Sequence, residues 1–135
     1  MSLTKTTAGL FGAVYLLVGI VGFLPIVGGS DSQTTSNLLG LFPVNAVHNV
    51  VHMAVGVLGL VAFAGGTGSS RLFARGVGVV YALLAVLGIF VSTGLFLGIV
   101  PIGGLDIALH AASAVVLLLV GFAPEARSPR LAGTA

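Results

Sequence analysis

The chain has 135 residues, of which 57% are hydrophobic and only 6% are charged. Soluble domains carry about 25% charged residues, so this composition and the mean hydropathy of +1.21 exclude ordinary soluble, disordered and nucleic-acid-binding proteins. The formal net charge of +2 comes from five basic and three acidic residues, which are too few for a phosphate-binding patch. The chain has no cysteine, so disulfides and cysteine-bound metals are excluded as well.

Four apolar stretches are each long enough to cross a bilayer, which takes about 20 residues. Because lipid offers no hydrogen-bond partner to the backbone, stretches of this length are expected to be helices rather than strands. They are Ala8–Val27, Val44–Ala64, Leu72–Phe96 and Leu105–Ala123. We therefore predict an all-α transmembrane four-helix bundle that forms a single domain over residues 8–123, between an N-terminal segment (1–7) and a tail (124–135).

The positions of the basic residues predict the orientation. They precede the first stretch, separate the second from the third, and follow the fourth, at Lys5, Arg71, Arg75, Arg127 and Arg130. Loops rich in Lys and Arg remain in the cytoplasm. Both termini are therefore expected to be cytoplasmic, and the loops around Asp31 and Pro101 are expected to lie outside.

The sequence contains an internal duplication. In the first and third stretches, small residues and one tyrosine recur at the same spacings: Ala8, Gly12, Tyr15, Gly19 and Gly22, then Ala74, Gly78, Tyr81, Ala85 and Gly88. Small residues let membrane helices approach closely, so these faces, with Gly56 in the second stretch, are predicted to pack helices together. The second and fourth stretches also correspond, because Gly40, Pro43 and His52 recur as Gly98, Pro101 and His110. Two copies of a helical hairpin, at about 8–64 and 72–123, are predicted.

Few polar residues lie within the apolar stretches, and they form a cluster. Asn45 is predicted to cap the second helix, which places His48 and His52 one turn apart on one face. Asp106 and His110 have the same spacing in the fourth stretch. A charged group such as Asp at the centre of a span costs roughly 2.5–3.5 kcal/mol, so polar groups there usually have partners. The predicted cluster, between the second and fourth helices, consists of Tyr15, Asn45, His48, Asn49, His52, Tyr81, Asp106 and His110.

Several interpretations of this cluster are open. It is a structural network if Asp106 accepts a hydrogen bond from His48 or His52 and so holds the second and fourth helices in register. It is a metal site if the three histidines and Asp106 bind zinc, copper or nickel. It is a haem site if His52 and His110 are axial ligands, with Gly56 leaving room for the ring. Proton or ion movement is a further alternative, although four short helices offer it little room.

Catalytic motifs are absent from the sequence. It contains no nucleophile elbow, phosphate-binding loop or Ser-His-Asp order. The sequence therefore favours a small non-enzymatic membrane protein, either an accessory subunit of a larger membrane complex or a homo-oligomer, with the bilayer as its surroundings and no required cofactor. The alternative is a redox or sensor protein that binds a metal ion or haem through His48, His52, His110 and Asp106. Asn49 is expected to hydrogen-bond to one of the histidines.

The segment Leu39–His52, followed by Gly56, resembles the bacterial integral-membrane family catalogued as domain-of-unknown-function family 4383. The family pattern has an Asn, then His-Asn, then His and Gly, as at Asn45, His48, Asn49, His52 and Gly56. A second, degenerate copy of the pattern carries Asp and then His, as at Asp106 and His110. The resemblance covers about Thr6 to Phe122. It implies a four-span protein of the bacterial inner (plasma) membrane and no particular activity.

Overall fold

The structure is a computed structural model that describes residues 1–91 and 94–124. These residues form four long helices and two short pairs of strands: α1 (Leu3–Val21), β1 (Ser36–Leu38), β2 (Phe42–Val44), α2 (Ala46–Ala64), α3 (Thr67–Val91), β3 (Leu95–Phe96), β4 (Val100–Pro101) and α4 (Leu105–Phe122). Each long helix has the length and composition of a membrane span. The predicted bundle of four apolar helices is therefore confirmed. The predicted tail, with Arg127 and Arg130, lies outside the described residues apart from Pro124.

The first helix begins and ends earlier than the hydropathy predicts. It begins at Leu3 because Ser2 caps it, its hydroxyl accepting a hydrogen bond from the backbone N–H of Lys5 at 3.3 Å. It ends at Val21 and is followed by Gly22 and by a short 3-10 turn that begins at Pro25. Proline has no backbone N–H and disrupts a helix interior, so the apolar run to Val27 cannot remain helical. A hydropathy average does not detect a capping serine or a helix-ending proline.

Helices α1 and α2 pack along each other through glycines, and α3 packs along α4. A Cβ atom on Gly12 would lie 2.6 Å from the backbone nitrogen of Leu60, and one on Gly56 would overlap that of Leu16. These two backbones are therefore in direct contact, an approach that only glycine permits. We call this contact the α1–α2 seam.

The remaining small residues of the predicted stripes are also used inside the bundle. Gly19 faces the backbone of Met53 in the α1–α2 seam. On α3, Gly78 faces the side chain of Leu118 and Gly88 that of Ile107. Ala85 is buried as well. At these two positions the α3–α4 contact is made against side chains, whereas a Cβ atom on Gly121 of α4 would lie 3.1 Å from the backbone nitrogen of Arg75.

The helices are more polar inside than outside. Buried positions include Thr7, Ser70 and Ser113, whereas leucine, isoleucine and phenylalanine side chains project outward, with Phe90 82% exposed and Ile89 65% exposed. Exposed apolar surface of this extent is unfavourable in water. It is the arrangement expected for helices surrounded by lipid.

The four helices give the bundle two distinct ends. At one end, which carries Lys5, Arg71 and Arg75 and is called the basic end, the Ser2 hydroxyl lies 3.1 Å from that of Thr67. Also at this end, Nε of Arg75 donates to the backbone oxygen of Gly121 at 2.8 Å. The opposite end, called the β end, carries both pairs of strands.

The two strand pairs at the β end are features that the sequence analysis did not predict. Strand β1 pairs with β2 and β3 with β4, both antiparallel. Each pair turns at a Leu-Gly dipeptide with positive φ at both residues, 54° and 71° at Leu39 and Gly40, and 54° and 72° at Leu97 and Gly98. Positive φ at both central residues is typical of a type I′ hairpin turn.

Candidate functional site

The N-terminus of α2 is fastened to the second strand pair by two side chains. Asn45 caps the helix, since its Oδ1 accepts from the backbone N–H of His48 at 2.9 Å. Its Nδ2 donates to the backbone oxygen of Ile99 at 2.7 Å. Nδ1 of His48 lies 3.2 Å from the backbone oxygen of Pro101. The predicted N-cap is present, and the same residue also connects the two halves of the chain.

Asn49 fastens the loop between α1 and α2. Its Nδ2 donates to the backbone oxygens of Gly22 at 2.7 Å and Ser30 at 2.9 Å. It was expected to hydrogen-bond to a histidine, and in the structure its amide is used by the loop instead. Gly22 permits the close approach, because a Cβ atom there would overlap the Asn49 side chain.

His48 and His52 form a buried pair whose Nε2 atoms are 3.0 Å apart. A carbonyl oxygen can only accept, so Nδ1 of the neutral His48 ring carries the proton that is donated to Pro101, and Nε2 carries a lone pair. His52 then donates through Nε2–H, which leaves the lone pair of His52 on Nδ1. That atom is buried and has no hydrogen-bond partner among the described residues.

Asp106 pairs with His110 on its own helix. Its Oδ2 lies 3.3 Å from Nδ1 of His110, and that same nitrogen is 2.8 Å from the backbone oxygen of Asp106. The predicted hydrogen bond from His48 or His52 to this carboxylate is not formed among the described residues. The i, i+4 spacing that suggested a contact between helices brings the carboxylate and imidazole together within one helix.

Aromatic rings connect the two histidine groups through the centre of the bundle. The ring of Tyr15 stands edge-on to that of His52, with centroids 5.2 Å apart, and Tyr81 is edge-on to His110 at 4.9 Å. The two tyrosine rings are 5.4 Å apart. The Tyr15 hydroxyl lies 3.1 Å from that of Ser113, which ties α1 to α4. Each tyrosine thus holds the histidine of the neighbouring helix.

A cavity of about 270 Å³ opens between α2, α3, α4 and the second strand pair. All three histidines and Tyr81 line it, and its remaining lining side chains are apolar, among them Val51, Leu84, Phe96 and Ile102. We call this space the histidine cavity. Of the predicted cluster, Tyr15, Asn45, Asn49 and Asp106 do not line it.

The structure shows where the residues considered as cofactor ligands lie. Nε2 of His48 and Nε2 of His52 are close enough to hold one ion jointly. Among the described residues, however, no group of three His, Cys, Asp or Glu side chains is arranged to hold a metal. Gly56, where room for a haem ring is expected, lies against the backbone of Leu16.

Some contacts in the site involve residues that the sequence analysis did not select. Ser30 and Ser113 carry no motif, and the carbonyl groups of Ile99 and Pro101 are acceptors that every residue possesses. The only sequence signal near them is the recurrence of Gly40 and Pro43 as Gly98 and Pro101. In the structure these residues belong to the two strand pairs with matching registers.

Four apolar helices packed around a buried polar cluster define the class of this chain as a multi-pass, membrane-type four-helix protein. The family model described as domain of unknown function (DUF4383) matches residues 5–123, and the chain belongs to that family. Neither the curated proteins nor the solved structures contain a match to it.

Proposed function

We propose that this chain is a small non-enzymatic protein of the bacterial inner (plasma) membrane, that it acts as an accessory subunit or a homo-oligomer, and that its polar cluster is structural. The observation that carries the proposal is where the hydrogen bonds of the cluster lead. Asn45, His48 and Asn49 all reach backbone carbonyl groups of the two loops at the β end. Side chains used in this way hold loops in place.

The surface at the β end supports a role in association. Strands β2 and β4 contact each other, and a cleft of about 380 Å³ lies between the two strand pairs. Thr35, Asn37, Leu41 and Pro43 are among the residues that line it. Because the loops are fixed by buried hydrogen bonds, little conformational entropy would be lost when a partner binds there.

Native mass spectrometry of the full chain, extracted from membranes in a mild detergent, tests this proposal. We expect the 13.4 kDa chain as an oligomer or in a complex with a second protein. Leu41→Glu, in the cleft, should reduce the associated fraction about tenfold or more, because a buried unpaired charge costs several kcal/mol. Ile26→Glu, at an exposed position of the same end, is the control and should associate normally. A monomer without a partner would contradict the proposal.

Transition-metal binding is a second candidate function, favoured by the separation of 3.0 Å between the Nε2 atoms of His48 and His52. Two nitrogens bound tetrahedrally at 2.0–2.1 Å are about 3.3 Å apart. A metal-ligating imidazole also commonly donates its other N–H to a carbonyl group, as His48 does to Pro101. His52 would have to shift its proton to Nδ1, and a third ligand, His110 or Asp106, would have to approach.

Elemental analysis of the purified protein distinguishes the two candidates. Metal binding predicts one zinc, copper or nickel ion per chain after equilibration and dialysis, and loss of the ion in His48→Ala and His52→Ala. Asn37→Ala, in the strand pair, is the matched control and should retain it. A stoichiometry near zero in the unmodified chain would reject the metal site, and a Soret absorption band would indicate haem instead.

A further inference from the structure

Two spaces between α2 and α3 lie end to end. The first is the histidine cavity, toward the β end. The second is a groove of about 600 Å³ toward the basic end, lined mainly by apolar residues that include Val55, Leu58, Val61, Leu72 and Val77. Tyr81 lines both. We call the second space the apolar groove. Together, the histidine cavity and the apolar groove form a crevice with ring nitrogens at one end and a hydrocarbon surface along the rest.

The nitrogen atoms of the histidine cavity are matched by a ligand that donates hydrogen bonds. Nδ1 of His110 faces both the backbone oxygen of Asp106 at 2.8 Å and its carboxylate at 3.3 Å, so when the ring is neutral its lone pair is on Nε2. Among the described residues, Nε2 of His110 has no hydrogen-bond partner. Nδ1 of His52 also carries a lone pair without a hydrogen-bond partner among the described residues, and this atom is buried.

The same lining disfavours ligands that only accept hydrogen bonds. The lining residues of the cavity include no lysine or arginine, so a phosphate or carboxylate would enter without a compensating charge. A quinone offers carbonyl oxygens only, which could accept from the buried Tyr81 hydroxyl, a group with no hydrogen-bond partner among the described residues, but would leave the nitrogen lone pairs unpaired. A phenolic hydroxyl, in contrast, can donate to Nε2 of His110.

The walls of the crevice also suit a flat head group with a long tail. The rings of Tyr81, Phe96 and His110 border the cavity, and aromatic rings pack favourably against one another. In the apolar groove, Gly76 has nothing within 4 Å of the position that a Cβ atom would take. That part of the groove therefore offers open space to a hydrocarbon chain.

We propose that the crevice between α2 and α3 binds a membrane quinol, with its aromatic head group in the histidine cavity and its tail along the apolar groove. One quinol hydroxyl donates a hydrogen bond to Nε2 of His110. The inference goes beyond the structural role proposed above and does not depend on it, because the contacts of Asn45, His48 and Asn49 with the loops do not use the His110 atom assigned to the quinol.

Isothermal titration calorimetry of the full chain in nanodiscs tests the proposal, with the heat measured for empty nanodiscs subtracted. The probe is decylubiquinol, kept reduced under anaerobic conditions, and the comparison ligands are decylubiquinone and the tailless 2,3-dimethoxy-5-methylhydroquinone. We expect saturable binding of one decylubiquinol per chain and about tenfold weaker binding of decylubiquinone, which lacks the donor. Equal affinities for the quinol and the quinone would overturn the assignment.

Two variants separate the head group from the tail. His110→Phe keeps a ring against Tyr81 but removes the acceptor, so decylubiquinol should bind about tenfold more weakly. Gly76→Leu fills the open part of the apolar groove. It should weaken the binding of decylubiquinol and leave the affinity for the tailless hydroquinone unchanged. Leu83→Ala, on the exposed face of α3, is the control for both.

The proposal fails if decylubiquinol does not saturate the unmodified chain. It also fails if both His110→Phe and Gly76→Leu bind the probe as the unmodified chain does. Because Gly76 borders open space, its replacement leaves the helix contacts intact, and a negative result there counts against the tail site directly.

Discussion

Asn49 shows how a single side chain can determine the path of a loop. Its amide group spans two carbonyl groups that lie 8 residues apart in the sequence, those of Gly22 and Ser30. A buried carbonyl group without a donor is costly. The Gly22 oxygen also accepts from the backbone N–H of Ser30 at 2.8 Å, so the Ser30 oxygen depends most on Asn49. The loop between α1 and β1 therefore follows the position of this amide group.

We expect Asn49→Ala to lower the stability of the protein by about 1–2 kcal/mol, because two buried carbonyl groups lose a donor. Thermal unfolding in detergent would measure the effect as a decrease in Tm. Asn37→Ala is the matched control, since Asn37 is exposed, and its Tm should be unchanged. Equal Tm values for the two variants would show that the Asn49 amide does not support the loop.

A second prediction at this scale concerns which pairs of residues are coupled. The Tyr15 and Ser113 hydroxyls are 3.1 Å apart, so Tyr15→Phe and Ser113→Ala should be non-additive by about 0.5–1 kcal/mol in a double-mutant cycle. His52→Ala and Asp106→Asn should be additive, because no hydrogen bond joins these side chains. The cycles are measured by unfolding in detergent, and the reverse pattern would contradict the described contacts.

At the scale of residues, the sequence predicts which side chains are buried better than it predicts their partners. Polar residues in an apolar stretch must avoid lipid, so His48, His52 and Asp106 can be selected as a set. His48, however, donates to the backbone oxygen of Pro101, and a backbone acceptor has no sequence signature. The i, i+4 spacing of Asp106 and His110 does not distinguish a contact within α4 from a contact between helices.

At the scale of elements, each strand pair depends on an unusual turn. Leu39 and Leu97 have φ of 54°, a left-handed conformation that costs a residue other than glycine about 1–2 kcal/mol. Asparagine and aspartate adopt this conformation more readily. The two leucines are 63% and 79% exposed, so they gain little from packing in return.

We therefore expect Leu39→Asn and Leu97→Asn each to stabilise the protein by about 0.5–1 kcal/mol. An increase in Tm during thermal unfolding would measure this. Leu41→Asn is the matched control, because Leu41 is 53% exposed but lies outside the residues with positive φ. If all three substitutions have the same effect, the gain does not come from the backbone conformation.

The helices could be predicted and the strand pairs could not, for a physical reason. About 20 consecutive apolar residues have one stable conformation in lipid, so four helices follow from hydropathy. Strands of two or three residues have no comparable signal. The Leu-Gly turns also lack the asparagine or aspartate that normally marks a type I′ hairpin.

At the scale of the whole molecule, the basic end and the β end make the proposed orientation testable. The chain has no cysteine, so a single one can be introduced without background. We expect Asp31→Cys to react with a membrane-impermeant maleimide in intact cells, because the positive-inside rule places the basic end in the cytoplasm. Gly68→Cys, in the first turn of α3, should react only after permeabilisation, and the opposite pattern would reverse the proposed orientation.

The α1–α2 seam has a consequence for how the chain is made. Every residue that forms it precedes Gly65, so the ribosome has completed both partners before it begins α3. The first two helices can therefore close against each other while the remainder is still being synthesised. At that stage Asn45 and His48 cannot yet donate to their acceptors, the backbone oxygens of Ile99 and Pro101, which are translated more than fifty residues later. The contacts of Asn45 and His48 with the second strand pair can therefore form only after residues 99–101 have been synthesised.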